Sequence, residues 1–411
     1  MFKIDTPAAL KFIILFSIIN SSLFLAFHPS GVFRLLLVFL MIFSGILLVV
    51  FSYKLSRRDF PVNKYFKILL LLTLGWSGFT IFRSIDPSLN PDNLKTLFGH
   101  YLMGWAWVVP LALFFGLKVC YWKKLFDFFA GLLLLGSVLA IAGAFMSIDV
   151  AVGLLKWMVF IPFLLLTYFY QNRKKKIILI LGILSYLLLT VVVSQRANFL
   201  FLGILFLFLL REFFRTNQVK KFTKKITLIM IVIVGTITVF QINSIIQQAS
   251  QKDGLTTDTR SFLFTELFLD MSPRELLIGR GSMGTYYSPY FAYTEKHGLP
   301  GDSSTRSVNE VGYLHMIFKG GFVMMLLYLL ILAPAAYLGI FRSNNILARM
   351  SGYYITSYLL LWTLTYYPVY SAEHILLWVS AGTAMSRSAR SVSDEELFNN
   401  FRSLPSKKEF S

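Results

Sequence analysis

Four arginines, one glutamate and one histidine are the residues of this chain whose types and spacing could do chemistry. Arg196 lies in "VVVSQRANF", and Arg260, Arg280, Arg306 and Glu310 follow in or beside a long polar stretch, about 244–310. His315 comes next, in "EVGYLHMIFKGG". Arginine presents a planar fork of donors that matches phosphate oxygens two at a time. Several of them converging would suit a diphosphate. The competing reading is snorkelling to lipid headgroups, or pairing with local acids such as Asp258 or Glu266. Glu310, at the start of a helical pattern, can cap that helix or act as a general base toward a hydroxyl. His315 is the alternative base, against a purely structural role for a lone histidine in an apolar helix. His100, Glu373 and His374 are weaker candidates, and Lys156 and Lys319 read as snorkelling lysines.

Two other patterns carry less. "GRGSMG" at Gly279–Gly284 matches G-x-G-x-x-G, but a dinucleotide site needs a strand before it and a helix after it. A tight turn is the better reading, and its amides can still help hold an anion. Asp253, Asp258, Asp270 and Asp302 show no compact metal-ligand spacing, and the single Cys120 excludes an internal disulfide or a multi-Cys metal site. The expectation is no metal and no cofactor.

The elements that must position these residues are membrane helices. Only 14% of the 411 residues are charged and 56% are hydrophobic, whereas a soluble domain carries roughly a quarter charged residues. Apolar runs long enough to cross a bilayer recur along the whole chain. They are continuous rather than alternating, which argues against a barrel. The fold class is an all-α polytopic membrane protein with about twelve transmembrane helices, at 12–27, 33–53, 66–83, 100–117, 125–147, 153–170, 176–194, 198–214, 226–243, 311–341, 352–368 and 372–387. The first run follows Lys3, Asp5 and Lys11 and lacks a small-residue cleavage site, so it reads as a retained helix.

The net charge of +19 fits basic cytoplasmic loops better than a nucleic-acid partner. Alternate connections are basic, for example Arg57-Arg58, Lys123-Lys124 and Arg173–Lys176, with Arg83 and Lys95 as exceptions. The positive-inside rule then puts both termini in the cytoplasm and the long loop outside. This divides the chain into nine helices over 1–243, an extracytoplasmic loop over 244–310, three helices over 311–387 and a polar tail, 388–411. The tail has too little apolar surface to fold alone and is expected to be disordered. Within the loop, "TTDTRSFLFTELFLDMSP" predicts a short helix begun by Asp258 or Thr259 and ended at Ser272-Pro273. At about 100° per residue, Leu263, Phe264, Leu267, Phe268 and Met271 share one side, suited to the bilayer interface or to neighbouring protein helices.

Three segments together resemble the bacterial O-antigen ligase and O-antigen polymerase superfamily, multi-span glycosyltransferases of the GT-C class. "SQRANF" is similar to the family's Ser-Arg segment at an outer helix end. "DTRSFLFTELFLDMSPRELLIGRGSMGTYY" resembles its pattern of an arginine opening an aromatic-rich helix, then a proline, then a "GxG" turn. "EVGYLHMIFKGGFVM" resembles its "HNxYLxxLxxxGxxG" signature at Tyr313, Leu314 and Gly321. The specific motifs lie within about 194–325. The family's ligases carry His where this chain has Glu310, and their next residue, Asn, is Val311 here. That departure favours a polymerase or a divergent relative over a lipid A-core ligase.

The resemblance implies a GT-C-like fold in the bacterial inner membrane and action on an undecaprenyl-diphosphate-linked glycan donor. A glycan acceptor's hydroxyl would attack the anomeric carbon as the lipid diphosphate leaves, without a metal. It also implies a place among other polysaccharide-assembly membrane proteins. Ligation and protein O-glycosylation use the same chemistry. A flippase for the same lipid-linked glycan is the rival from another class, but it should show repeated halves and mid-membrane charges, and no clear repeat is visible.

Overall fold

The computed structural model describes residues 5–27, 31–57, 63–143, 146–193, 195–215, 261–296 and 303–402. The ninth expected span (226–243), Arg260 and the expected caps Asp258 and Thr259 lie outside them. The described chain is almost entirely helical, with eight helices long and apolar enough to cross a membrane. These are α1 (Thr6–Phe27), α2 (Gly31–Ser56), α3 (Lys64–Phe82), α6 (Cys120–Gly143), the run from α7 (Ile148–Trp157) to Tyr170, α9 (Arg173–Val192), α10 (Arg196–Arg215) and α14 (Gly312–Phe341).

The expected span 100–117 is not a single helix. After the short α4 (Pro91–Gly99), the chain makes 3-10 turns at Gly104–Trp107 and Val109–Ala112, then one α-turn, α5 (Leu113–Gly116). Pro110 has no amide to give a regular helix, and 3-10 geometry serves in such short pieces. Its apolar run is satisfied by burial within the protein: Trp107, Ala112, Leu113 and Phe115 are wholly enclosed. The same logic governs α8 (Ile161–Leu164), which carries Pro162 and leads into a 3-10 stretch.

The last two expected spans are α15 (Ile346–Leu361) and α16 (Ala372–Met385), 16 and 14 residues long. Both are buried on nearly every side. Thr383 ties α16 to its neighbours: its hydroxyl donates to the Gly116 carbonyl at 2.7 Å and accepts the Trp122 indole N–H at 3.0 Å. Arg349 of α15 is buried and donates to the equally buried Glu212 of α10 at 2.8 Å, and Tyr353 donates to the same carboxylate.

The described part of the 388–411 tail, expected to be disordered, forms two helices together with Arg387, α17 (Arg387–Ser391) and α18 (Asp394–Arg402). They do not fold on their own surface. Leu397 is fully buried, and the Phe398 and Phe401 rings lie 4.8 and 5.3 Å from that of Tyr170. Asp394 caps α15 by accepting the Ile346 N–H at 2.8 Å.

The described part of the long loop begins at Ser261. It contains α11 (Ser261–Asp270), α12 (Pro273–Ile278), α13 (Pro289–Lys296) and one antiparallel pair, β1 (Tyr286–Tyr287) with β2 (Thr305–Arg306), in which Tyr286 faces Arg306. Ser272 and Glu275 form a capping box that stops α11 and starts α12. On α11 the Leu263, Leu267 and Met271 stripe is buried against Tyr286, Val311, Leu314 and Phe318. Burying each such side chain is worth roughly 1.5–3 kcal/mol. Phe264, Phe268 and Leu269 stay exposed.

Candidate functional site

A break in α14 positions the site. Gly321 has φ 73° and ψ 178° inside this 30-residue helix, a conformation that costs a side chain dearly. The break turns three carbonyls toward outside donors. Phe318 and Lys319 accept the amides of Arg280 and Gly281 at 2.8 and 2.9 Å, and Gly320 accepts the Trp76 indole at 2.7 Å. Two glycines make this approach workable. A Cβ on Gly321 would sit 2.0 Å from the Leu277 carbonyl oxygen, and one on Gly279, also at positive φ, 2.2 Å from that of Lys319.

"GRGSMG" is therefore a docking turn that follows a helix, not a strand. Its amides are used inside the protein: beyond Arg280 and Gly281, that of Ser282 goes to Thr80, Met283 to Ser84 Oγ and Gly284 to Gly281. No amide from Arg280 to Gly284 is left over for an anion. Arg83, an exception to the charge alternation, donates to the Ile278 and Gly279 carbonyls at 2.9 and 2.7 Å and so closes the end of α12.

Arg280 is saturated. Nε and Nη2 reach the Glu275 carboxylate at 3.0 and 3.1 Å, Nη1 reaches the Asp270 carboxylate and the Thr285 carbonyl, and Nη2 also reaches the Asp270 carbonyl. That accounts for all five guanidinium donors. The hydrogen bond from Arg280, with help from Ser272, holds the Glu275 carboxyl down to about 2.

Arg306 and Glu310 come together just ahead of the start of α14. Arg306 is buried beneath the Phe291 ring, 4.3 Å from its centroid, with Nη1 3.5 Å from the Tyr286 hydroxyl and Nη2 donating to Glu310 Oε1 at 3.2 Å. Burial pushes the Tyr286 phenol up to about 12, and Arg306 pulls it the other way. Glu310 does not cap α14. Val311 holds the N-cap position without a side-chain bond, and its own amide donates to Asn309 Oδ1 at 3.0 Å. The Glu310 side chain is 43% exposed, and its carboxylate accepts from Arg306.

His315 is enclosed. Its Nδ1 accepts the Asn309 amide at 3.3 Å, its ring stacks on Trp107 at 6.0 Å, and its Nε2 has no hydrogen-bond partner among the described residues. This geometry braces the 309–311 turn. Lys319 is also buried and does not snorkel: Nζ donates to the Gly284 carbonyl at 2.8 Å.

A cavity of about 780 Å³ opens beside this cluster. Its wall includes Gln195, Ala197 and Asn198 around the backbone of Arg196, together with Lys156, Tyr366, Tyr367 and Glu373. The side chain of Arg196 and the whole of Arg260 lie outside the described residues. Tyr367 joins the two regions. It lines the cavity, its ring is 5.0 Å from that of His315, and it lies within electrostatic reach of both Glu310 and Glu373. Among the described residues no three His, Cys, Asp or Glu side chains gather as a metal-binding group.

Sequence reasoning missed Tyr286 and Tyr367. Tyr286 meets Arg306 only through strand pairing across 20 positions. Tyr367 had a visible signal, the proline and three tyrosines of "TYYPVY", which mark irregular backbone between α15 and α16. Comparison with known protein families, with curated proteins and with solved structures finds no match.

Proposed function

We propose that this chain is a glycosyltransferase that polymerises repeat units carried on undecaprenyl diphosphate at the outer face of the bacterial cytoplasmic membrane. The observation that carries the proposal is the half-exposed Glu310 carboxylate, fixed by buried Arg306. The GT-C-like arrangement of twelve crossings, with both termini inside and the 244–310 loop outside, belongs to the same proposal.

The chemistry assigns each group a task. Glu310 takes the proton from an acceptor sugar hydroxyl as its oxygen bonds to the donor's anomeric carbon. The bond from that carbon to the diphosphate oxygen breaks, and the lipid diphosphate leaves with the electron pair. Arg196 and Arg260 neutralise that charge. Arg306 orients Glu310, while Arg280 and His315 brace the loop and turn around it. Ligation onto lipid A-core or protein differs only in the acceptor. The flippase alternative draws its support from Lys156 and Glu373, opposite charges lining a cavity inside the bundle.

Reconstitution decides among these. The purified chain in liposomes, given lipid-linked repeat unit on the loop side, is expected to release lipid diphosphate and to build glycans longer than one repeat. Movement of intact donor across the bilayer with no new glycosidic bond would favour the flippase and end the transferase reading.

A further inference from the structure

We infer that Arg342, Arg387 and Arg390 form a binding site for the phosphate of an anionic lipid headgroup, at the end of α14 far from the loop. Two segments bring the three together. Arg342 closes α14, its amide donating to the Leu338 carbonyl at 3.0 Å. Arg387 and Arg390 stand three apart on the short α17 and so share a face. The Asn344 amide donates to the Arg390 carbonyl at 2.9 Å, and Arg390 Nη1 donates to the Arg342 carbonyl at 2.7 Å. The Asn345 side chain pins α17 through the Ala389 and Val392 carbonyls, both at 2.9 Å.

Charge selects an anion. Among the described residues none of these three arginines forms an ion pair, whereas Arg280, Arg306 and Arg349 each meet a carboxylate. Asp394, the carboxylate that follows α17, is taken by the Tyr170 hydroxyl and the Ile346 amide. Burial, and then Arg387 beside it, disfavours the charge on Arg390. A phosphate would offset both, and its oxygens fit the arginine fork. Position selects a lipid phosphate over a free one. The 20 residues from Phe322 to Phe341 cover about 30 Å, the thickness of a bilayer core. Tyr337 and Phe341 are exposed near the end of that run with rings 5.2 Å apart, as aromatic side chains are at headgroup level. Arg342 is the next residue. The site stands whether or not the chain is a transferase.

Lipid preference beside Arg342 can be measured in the full chain. In the Cys120→Ser background, Tyr337→Cys carries a fluorophore, and the protein is placed in phosphatidylcholine vesicles. Spin-labelled phosphatidylglycerol or spin-labelled phosphatidylcholine is then added at equal fractions, and quenching gives their relative affinity. Phosphatidylglycerol is expected to be preferred at least about fivefold, the scale of one arginine at a charged surface. Arg342→Gln with Arg387→Gln is expected to cut that preference below about twofold, because each lost charge removes a factor of that size. Both side chains make no hydrogen bond among the described residues, so the fold should survive. Quenching by spin-labelled phosphatidylcholine, equal in variant and parent, checks that the label still faces lipid. Equal quenching by the two lipids in the parent overturns the site, as does a preference that persists in the double variant. A preference abolished by about 10 mM inorganic phosphate, and not by sodium chloride at equal ionic strength, would assign the arginines to a free anion and overturn the lipid assignment.

Discussion

The Glu310 carboxylate accepts a hydrogen bond from Arg306 at 3.2 Å, with the glutamate side chain 43% exposed and the arginine only 6%. The asymmetry separates their roles, because the carboxylate can meet a substrate while the guanidinium is walled in by Phe291 and Tyr286. Glu310→Gln keeps the shape and the hydrogen bond but removes the proton acceptor. It should bind lipid-linked donor normally and turn over at least about a hundredfold more slowly. Val311, not Glu310, holds the helix cap, so its unfolding temperature should match that of the parent. Full turnover in Glu310→Gln beside a dead but folded His315→Ala would transfer the base role to His315.

The Arg280 cluster makes a pH prediction. The Glu275 carboxyl ordinarily titrates near 4.5 and is held at about 2 in the folded loop, chiefly by Arg280. A depressed carboxyl contributes stability that is complete above its unfolded value and is lost as pH falls through its folded value. Protease resistance of the 261–296 region should therefore be flat above about pH 4.5 and decline between about 4.5 and 2. Glu275→Gln should lower that resistance at neutral pH and flatten the decline. An unchanged acid profile in Glu275→Gln would show that another group governs the loop.

The docking of the turn on the broken helix predicts a severe glycine variant. Gly321→Ala adds a Cβ 2.0 Å from the Leu277 carbonyl and forces alanine to φ 73°. The backbone conformation alone costs on the order of 1–3 kcal/mol, so α12 and its turn should detach and activity should be lost through misplacement of the loop. Phe322→Ala, one residue beyond the break, leaves the glycine backbone free and should be milder. Equal thermal stability and activity in Gly321→Ala and the parent would contradict the docking.

What was legible in the sequence follows from the range of the interactions. The long apolar runs became helices because length and hydropathy decide such segments locally, and the Ser272-Pro273 boundary showed through its local capping chemistry. Arg280 was read as a diphosphate ligand because nothing in its sequence neighbourhood says that Asp270, Glu275 and Thr285 fold back on it together. The Gly320-Gly321 pair was visible, but a break there depends on a turn about 40 residues earlier. Residues 100–117 misled for another reason: an apolar run reports burial and not regularity, and Pro110 settles the latter. The tail had its apolar stripe, Leu397, Phe398 and Phe401, yet the aromatic surface it needs is Tyr170 on a distant segment.

The last prediction concerns how the loop meets the membrane. On α11 one stripe, Leu263, Leu267 and Met271, is buried in protein, and the adjacent Phe264 and Phe268 are exposed. The Phe268 ring stacks on Phe322, the first residue past the helix break, at 6.5 Å. From there the exposed surface continues down α14 through Leu326 and Leu330. The 20 residues from Phe322 to Phe341 span about 30 Å at 1.5 Å each, the thickness of a bilayer's hydrocarbon core. The prediction is that the break falls at the edge of that core and that α11 lies along the interface with its second apolar stripe in lipid. The protein-packing alternative holds for one stripe, and the interface alternative is the prediction for the neighbouring one. A spin label on Phe264→Cys, in the Cys120→Ser background and in liposomes, should be relaxed strongly by oxygen and weakly by a water-soluble nickel chelate. A label on Ser303→Cys, exposed beside β2, should show the reverse. Stronger relaxation by nickel than by oxygen at position 264 would place this stripe of α11 in water and contradict interface seating.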